Sequence, residues 1–179
     1  GTSHNLGQNF AKAFDTKFQD RKAHWQYVYQ TSWGVSTRLV GGLIMVHSDD
    51  KGLVLPPRLA STHVVIIPIL KGSPEDSKIL EAAEKLDLEI KRASFERSAG
   101  QKIVTKIDRD TQHSAGWKFH EYELTGIPLR VELGLRDLEK AQVTLVRRDT
   151  SNKRIVPISA AAAVIARELE QMQGDMFNR

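Results

Sequence analysis

The first 58 residues alternate between short strand-like stretches and one apolar run. The aromatic residues Trp25, Tyr27 and Tyr29 recur at every second position, which is the period of a β-strand with two distinct faces. From residue 39 to residue 46 the apolar positions are nearly continuous, and the polar residues 49–52 end them. This run predicts a buried helix that follows the strand.

The start of this predicted helix carries candidate chemistry. Ser36 and Thr37 are suitable N-caps, and Arg38 follows them directly. A helix N-terminus attracts anions through its free N–H groups and dipole, and an adjacent guanidinium adds positive charge and a flat stacking surface. The pattern of strand, cap, arginine and helix therefore predicts a binding site for a nucleotide.

A proline-containing stretch, residues 52–58, separates this segment from a second pattern. Residues 62–70 form a β-branched run typical of a strand buried on both faces. The remaining pattern predicts a helix capped by Ser73, a strand at 103–107, a helix at 114–124 closed by Gly126, strands at 129–133, 143–147 and 155–158, and a helix over 160–176 capped by Ser159.

This order of elements predicts an α/β layered domain with a five-stranded mixed sheet, largely parallel, and flanking helices. Within the strand at 129–133, Leu129, Val131 and Leu133 lie on one face, and Arg130 and Glu132 lie on the other. Open sheets of this kind bind ligands beyond the ends of their strands.

The amino-acid composition limits the classes of function that this chain can have. The 179 residues are 40% hydrophobic and carry a net charge of +4, which suits an anionic partner. The chain has no cysteine, so disulfides and thiolate metal sites are excluded, and the spacing of its six histidines predicts no metal site. No apolar run approaches the ~20 residues that span a bilayer, and no leader pattern is present. We therefore expect a cytoplasmic protein without membrane contact.

Five stretches resemble one known family. They are TSHNLGQNF at residues 2–10, SWGVSTR at 32–38, VHSDDKGLVLPPR at 46–58, GWKF at 116–119 and PLRVELG at 128–134. In this order they resemble the prolyl-tRNA synthetases, in the form shared by archaea, eukaryotes and some bacteria. The resemblance covers nearly the whole chain.

The resemblance implies that residues 1–58 are the C-terminal part of a class II catalytic domain, with its third signature motif. Arg38 matches the catalytic arginine that lies against the adenine and triphosphate of ATP. The other matched positions are Thr2 and Ser36 for ATP, and His4, Trp33 and Gly34 for proline.

Residues 59–166 resemble the anticodon-binding domain of the family, and residues 167–179 a helix leading toward a further C-terminal domain. Bases of single-stranded RNA are recognised by stacking and by hydrogen bonds to their edges. Prolyl anticodons carry two adjacent guanines, whose N1–H and N2 amino groups suit a carboxylate acceptor. The candidate anticodon-binding residues are Glu132, Arg130, Arg147, Arg148 and Trp117.

These candidates have structural alternatives. Arg130 and Glu132 would also suit a cross-strand ion pair on a solvated face. Trp117 and Phe119 would serve as stacking platforms for bases, or they would pack their short helix. Lys91, Arg92 and Arg97 are interpreted as a solvated helix end.

The family joins proline to ATP and transfers the prolyl group to proline tRNA, using ATP and Mg²⁺ as a homodimer. The first two class II motifs are absent from this sequence, so we expect the chain alone to be inactive and to hold neither ATP, Mg²⁺ nor L-proline firmly. A free-standing tRNA-binding module without catalysis is the first alternative. A flavodoxin-like small-ligand domain is the second, for residues 59–179 taken alone.

Overall fold

A computed structural model describes residues 1–95 and 101–178, and the chain forms two compact units, Gly1–Val46 and His47–Arg179. The boundary between the units lies at Val46, whereas the sequence placed a domain boundary at residue 58. Residues 47–58 belong to the second unit, and the hairpin at residues 48–53 contacts the rest of that unit through Asp49 and Gly52.

The first unit contains β1 (Thr2–Gly7), α1 (Asn9–Ala13), β2 (Lys17–Gln19), β3 (Trp25–Tyr27), β4 (Gln30–Gly34) and α2 (Arg38–Val46). Its strands form two separate antiparallel pairs, β1 with β4 and β2 with β3.

The prediction of a buried helix after residue 38 is wrong for this unit. Helix α2 forms at the predicted place, but it has no buried residue, and Leu39, Val40 and Met45 are 58%, 58% and 85% exposed. Two two-stranded ribbons are too small to cover an apolar helix. Across residues 1–46, all of which are described, Ala11 alone is buried.

The second unit contains the remaining elements. They are β5 (Ser48–Asp49), β6 (Gly52–Leu53), β7 (Val64–Pro68), α3 (Asp76–Arg92), β8 (Ser94–Phe95), β9 (Gln101–Lys102), β10 (Thr105–Ile107), α4 (Ala115–Leu124), β11 (Leu129–Leu133), α5 (Leu135–Glu139), β12 (Gln142–Arg147), β13 (Lys153–Pro157) and α6 (Ile158–Phe177).

Five of these strands form one mixed sheet in the order β10-β7-β11-β12-β13. The pairings of β7 with β10 and β11 are parallel, and those of β12 with β11 and β13 are antiparallel. The predicted five-stranded mixed sheet is confirmed, although only half of its pairings are parallel. The antiparallel turn from β11 to β12 contains α5, a helix that the sequence pattern did not predict.

The core of the second unit lies between the sheet and helices α3 and α6. β7 and β11 are buried along their whole length, and α3 and α6 pack on them through Ile79, Leu86 and Ile165, among others. The described residues contain no helix with both the length and the apolarity needed to cross a membrane.

Two predicted helix caps are wrong. Helix α3 begins at Asp76 rather than at the first residue after Ser73, and the Asp76 carboxylate accepts hydrogen bonds from the N–H groups of Lys71, Gly72 and Ser73. Ser159 lies inside α6, which begins at Ile158 after Pro157. The predicted cap of α4 is confirmed, because the Ser114 hydroxyl accepts the N–H of Trp117 at 3.3 Å.

A buried imidazole fixes the entry into the large sheet. His63, just before β7, is 2% exposed; its Nδ1 accepts the N–H of Val104 at 2.8 Å, and the ring bonds to the backbone of Pro57. Burial lowers the pKa of His63, so the ring is held neutral between one backbone donor and one carbonyl acceptor.

Candidate nucleic-acid interface

The predicted ATP and proline positions of the first unit are partly brought together by the pairing of β1 with β4. Thr2 lies opposite Gly34, and a Cβ on Gly34 would approach the Thr2 hydroxyl to 3.2 Å. His4 lies two residues along β1, so it shares a face with Thr2. Trp33 lies opposite Ser3 and therefore on the other face of the ribbon, 81% exposed.

Ser36 and Arg38 lie in the turn into α2 and at its first residue. The carbonyl oxygen of Ser36 accepts the N–H of Leu39 at 3.0 Å, which closes the turn. Arg38 is the first residue of α2, and its side chain is exposed. The structure therefore positions Thr2, His4 and Gly34 as neighbours, and it places Trp33 apart from them.

In the second unit, Arg130 and Glu132 form a buried ion pair. Both lie on β11, both are 8% exposed, and Arg130 Nε donates to Glu132 Oε1 at 3.0 Å. The alternative of an Arg130–Glu132 ion pair is confirmed, but the pair lies within one strand and is buried, partly under α4, rather than crossing strands on a solvated face. Lys153, on β13, lies 3.8 Å from the same carboxylate oxygen.

Helix α4 adds Phe119, which the sequence offered either as a stacking platform or as packing of its helix, and Glu123, which the sequence did not single out. The Arg130 guanidinium lies 4.3 Å from the centre of the Phe119 ring, and Arg130 Nη1 lies 3.3 Å from Glu123 Oε1. Phe119 and Glu123 are four residues apart, so they share one face of α4. The four-residue spacing can be read from the sequence. Only the packing of α4 beside β11 shows that these two side chains contact Arg130.

Phe119, Glu123, Arg130 and Glu132 therefore form one cluster, here called the Arg130 cluster. Its lower layer is the buried ion pair, and its upper layer, Phe119 and Glu123, is more accessible to solvent. Such a cluster offers a flat ring for stacking, a carboxylate acceptor and a guanidinium donor, the groups that recognise unpaired bases.

Arg147 forms hydrogen bonds and ion pairs with carboxylates of the protein itself. It donates to Asp149 through two nitrogens, at 3.0 and 2.8 Å, and lies 2.9 Å from Asp175 and 3.4 Å from Glu168. The hydrogen bonds that Arg147 donates to Asp149, followed by the one it donates to Asp175, raise the pKa of Arg147 above its ordinary value. Because Glu168 and Asp175 lie on α6, this network fastens α6 to the sheet. Contact of Arg147 with RNA stays a prediction.

Arg148 is likewise engaged within the protein. Its buried guanidinium binds both carboxylate oxygens of Asp49, at 2.6 and 2.8 Å, and its Nε donates to the Glu123 carbonyl at 2.9 Å. The hydrogen bond from Arg148 is the main cause that lowers the pKa of Asp49 to about 2. Arg148 thus joins the β5–β6 hairpin to α4, and its contact with RNA also stays a prediction.

Trp117 lies on a different face of α4, and it is 48% exposed. Its indole stacks on the His113 imidazole, with ring centres 3.8 Å apart and ring planes inclined by 19°. The indole therefore packs against His113 and keeps much of its surface accessible, and its role as a stacking platform stays a prediction.

The described residues contain no group of His, Asp and Glu side chains arranged to hold a metal ion. Arg97, interpreted from the sequence as part of a solvated helix end, lies outside the described residues, while Lys91 closes α3 with an ion pair to Asp87 at 2.6 Å.

Comparison with known proteins assigns the second unit to a class. Residues 63–168 match the model of the anticodon binding domain family. This match covers more than half of the chain, and the chain belongs to the anticodon binding domain family.

Relatives extend the similarity to the whole chain. The proline–tRNA ligases of Chlorobium phaeovibrioides and Prosthecochloris aestuarii are each 51% identical to it over 180 residues. Proline–tRNA ligase 2 of Bacillus cereus is 49% identical over 179 residues. Each alignment covers 100% of this chain and 35% of the relative, so the chain spans about a third of the length of these proteins. The predicted resemblance to prolyl-tRNA synthetases is confirmed.

Proposed function

We propose that the second unit binds the anticodon of proline tRNA through the Arg130 cluster. The observation that carries this proposal is the stack of Phe119 over the guanidinium of Arg130, with Glu123 and Glu132 on either side. A guanine stacked beside Phe119 would present its N1–H and N2 amino group to a carboxylate and its O6 and N7 to a guanidinium.

The two carboxylates of the cluster take different roles in this proposal. Glu132 is 8% exposed and holds Arg130 Nε, whereas the side chain of Glu123 is 21% exposed. Glu123 therefore accepts from the base, and Glu132 positions the guanidinium. Glu132 was the sequence-based candidate for direct reading, and its burial supports the positioning role instead.

For the first unit, we propose part of a proline and ATP site. Arg38, Thr2 and Ser36 are the candidates for ATP, and Arg38 would stabilise charge on the phosphates as a catalytic residue. His4, Trp33 and Gly34 are the candidates for L-proline. The position of Trp33 on the opposite face from Thr2 and His4 means that this ribbon alone does not form a closed proline pocket.

The intact protein is then a cytoplasmic, homodimeric ligase that activates proline with ATP and Mg²⁺ and passes it to proline tRNA. The carboxylate of proline is itself the nucleophile, so the reaction needs positioned cations rather than a general base. The exposed apolar side of α2 supports this proposal, because Leu39, Val40 and Met45 would need further polypeptide to cover them. The relatives are almost three times as long as this chain.

The free-standing tRNA-binding module remains the second candidate, since binding by the Arg130 cluster does not require catalysis. The flavodoxin-like alternative is disfavoured by the loop at the carboxyl end of β7. There the N–H groups of Lys71, Gly72 and Ser73, which could receive a ligand phosphate, are occupied by the Asp76 carboxylate.

A footprint of proline tRNA on the 179-residue chain tests the proposal for the second unit. We expect protection of the anticodon nucleotides, lost in Phe119→Ala and retained in Glu89→Gln, an exposed change on α3. Protection confined to the acceptor end, or none, would refute it. For the first unit, Arg38→Ala in an intact ligase containing this segment should abolish most ATP–pyrophosphate exchange, and near-normal exchange would remove the role of Arg38.

A further inference from the structure

The proposed function leaves unused a cavity of about 510 Å³ in the second unit, beside α4. It lies between α4, the end of β10 and residues 55–62, and we call it the Trp117 cavity. Its lining combines apolar residues, such as Leu55 and Ile127, with charged ones. A concave site with mixed lining and a few directed polar groups is typical of small-ligand and base binding.

The aromatic walls of the Trp117 cavity are held in place by carboxylates. Asp110 Oδ2 lies 2.5 Å from Nδ1 of His113, on which the Trp117 indole stacks. On the other wall, the Tyr122 hydroxyl donates to Asp108 at 2.9 Å. These side chains line the cavity with their rings already oriented, so a ligand would not have to order them.

Asp108 is in turn held by the buried Lys118 side chain. Lys118, 3% exposed, lies 3.0 Å from its carboxylate and also donates to the Asp110 carbonyl. Burial opposes ionisation of Asp108, but the bonds from the Asp110 N–H, Lys118 and Tyr122 outweigh it and hold its pKa below the ordinary value. Both aspartates are thus used within the protein and are not free to meet a ligand.

Two charged side chains of the cavity lining are not engaged in hydrogen bonds or ion pairs among the described residues. Glu121 lines the cavity, and among the described residues its carboxylate has no hydrogen bond or ion pair. The ammonium of Lys106 lies 5.2 Å from the centre of the Tyr122 ring and, within the described part of the chain, has no carboxylate partner within 4.0 Å. The cavity therefore offers one carboxylate acceptor and one cation to a ligand.

The spacing on α4 repeats that of the Arg130 cluster. Phe119 and Glu123 are an aromatic–carboxylate pair four residues apart, and Trp117 and Glu121 are a second such pair. A shift of two residues turns a helix by about 200°, so the two pairs face opposite sides of α4. The helix thus presents two similar places for a flat ring with an amino group.

We infer that the Trp117 cavity binds a second unpaired base of the same tRNA, one that carries an exocyclic amino group. The base stacks on Trp117, its amino group donates to Glu121, and an adjacent phosphate lies near Lys106. This inference rests on the proposed function, because it assumes that tRNA binds at α4.

The experiment combines protein substitutions with single-nucleotide changes in the RNA and measures whether their effects on affinity are additive. The probe is an unmodified anticodon stem–loop of proline tRNA, in which each loop nucleotide in turn is replaced by an abasic residue. Affinity is measured by fluorescence anisotropy for the 179-residue chain, for Trp117→Ala and for Phe119→Ala. At one loop position, the abasic change should weaken binding of the unchanged chain about tenfold and leave Trp117→Ala unaffected.

A second variant tests the amino group. Glu121→Gln should lose affinity about as much as removal of the exocyclic amine at that same loop position, whereas Glu89→Gln, the same charge change on α3, should not. Circular dichroism of each variant checks that the fold is retained.

Two outcomes overturn the inference separately from the proposed function. If the stem–loop binds and couples to Phe119 but no position couples to Trp117, the Trp117 cavity is not a base site. If Trp117 couples to a position but Glu121→Gln behaves as Glu89→Gln does, recognition of the amino group is wrong. Absence of stem–loop binding by the unchanged chain would instead refute the proposed function.

Discussion

Arg130 and Glu132 lie two residues apart on β11 with their charged groups 3.0 Å apart, and each is only 8% exposed. A buried ion pair costs desolvation of both charges, and removing one partner leaves the other uncompensated. Here Arg130 keeps a second carboxylate, Glu123, at 3.3 Å, and a ring at 4.3 Å from its guanidinium carbon. This arrangement fixes one buried guanidinium in a defined position beside α4.

The first prediction separates the two carboxylates around Arg130. Glu132→Gln should destabilise the chain by about 1–3 kcal/mol, because it removes the charge that compensates buried Arg130. Glu123→Gln, nearer the surface, should cost less than about 1 kcal/mol, within the range of exposed pairs. Urea denaturation of the two variants gives the comparison, and equal losses would contradict the two-layer description of the Arg130 cluster.

The second prediction concerns two glycines where the β5–β6 hairpin meets α4. Gly126 has φ +74°, and a Cβ there would lie 2.6 Å from the Cβ of Leu53; at Gly52, φ is +129° and a Cβ would lie 2.5 Å from the Leu124 Cα. Gly126→Ala and Gly52→Ala should each cost at least ~2 kcal/mol, from strain and overpacking together.

Gly116 is the matched control for these substitutions. It lies in α4, and a Cβ added there would meet nothing within 4 Å, so Gly116→Ala should be neutral or stabilise by up to ~1 kcal/mol. Thermal denaturation monitored by circular dichroism measures all three variants. Equal behaviour of Gly116→Ala and Gly126→Ala would mean that the hairpin does not pack on α4 as described.

The third prediction is a pH dependence from His63. Its folded-state pKa lies below the ordinary value of 6.5, so the unfolded chain binds a proton more readily than the folded one. Stability is therefore unaffected by His63 above pH 6.5 and decreases as the pH falls below it, by at most ~1.4 kcal/mol per pH unit. The decrease stops once the pH passes the folded-state pKa.

His63→Gln is the control for this pH dependence, because an amide can accept from Val104 and donate to Pro57 without titrating. The free energy of unfolding between pH 5 and pH 7, extracted from urea curves, should lose part of its slope in this variant. An unchanged slope would assign the pH dependence to other groups.

The fourth prediction concerns Asp49 and Arg148. The folded-state pKa of Asp49 is about 2, against an ordinary value of 3.8, so its contribution is present above pH 3.8 and is lost as the pH falls toward 2. At pH 7, Asp49→Asn should destabilise the chain by about 1–3 kcal/mol, since it leaves the buried Arg148 without its carboxylate.

Below pH 2 the difference between Asp49→Asn and the unchanged chain should vanish, because the Asp49 carboxyl is then neutral as well. Asp50→Asn, at the neighbouring position of the hairpin, supplies the matched control at both pH values. A difference that persists in acid would mean that the amide side chain perturbs the hairpin by its shape rather than by its lack of charge.

The sequence predicted the elements of the second unit well, because their patterns are local. The β-branched run at β7, the alternation of β11 and the Ser114 cap of α4 each have a physical signature within a few residues. Helix caps formed with residues across a loop are harder to predict from a local pattern. Asp76 binds the N–H groups of residues that precede it, and the nearer serine at position 73 gave the stronger local signal.

The site was less predictable, because its members meet only through the fold. Arg147 and Arg148 follow a strand as phosphate-binding residues would, yet their carboxylate partners lie as far away in sequence as Asp175 and Asp49. The reverse holds for Glu123, which becomes a candidate only once α4 is placed beside Arg130, whereas Phe119 was considered as a stacking platform from the sequence. In the first unit, the burial of α2 was inferred from its apolar residues. Apolar residues favour burial, but they do not show that a surface is present to cover them.

The affinity of the 179-residue chain for the anticodon stem–loop of proline tRNA tests the central claim most directly. It is measured against the same stem–loop with both anticodon guanines replaced by adenine. We predict that the replacement weakens binding at least about tenfold at fixed salt, and that Phe119→Ala removes most of this difference. Equal affinity of the unchanged chain for the two RNAs would contradict the account.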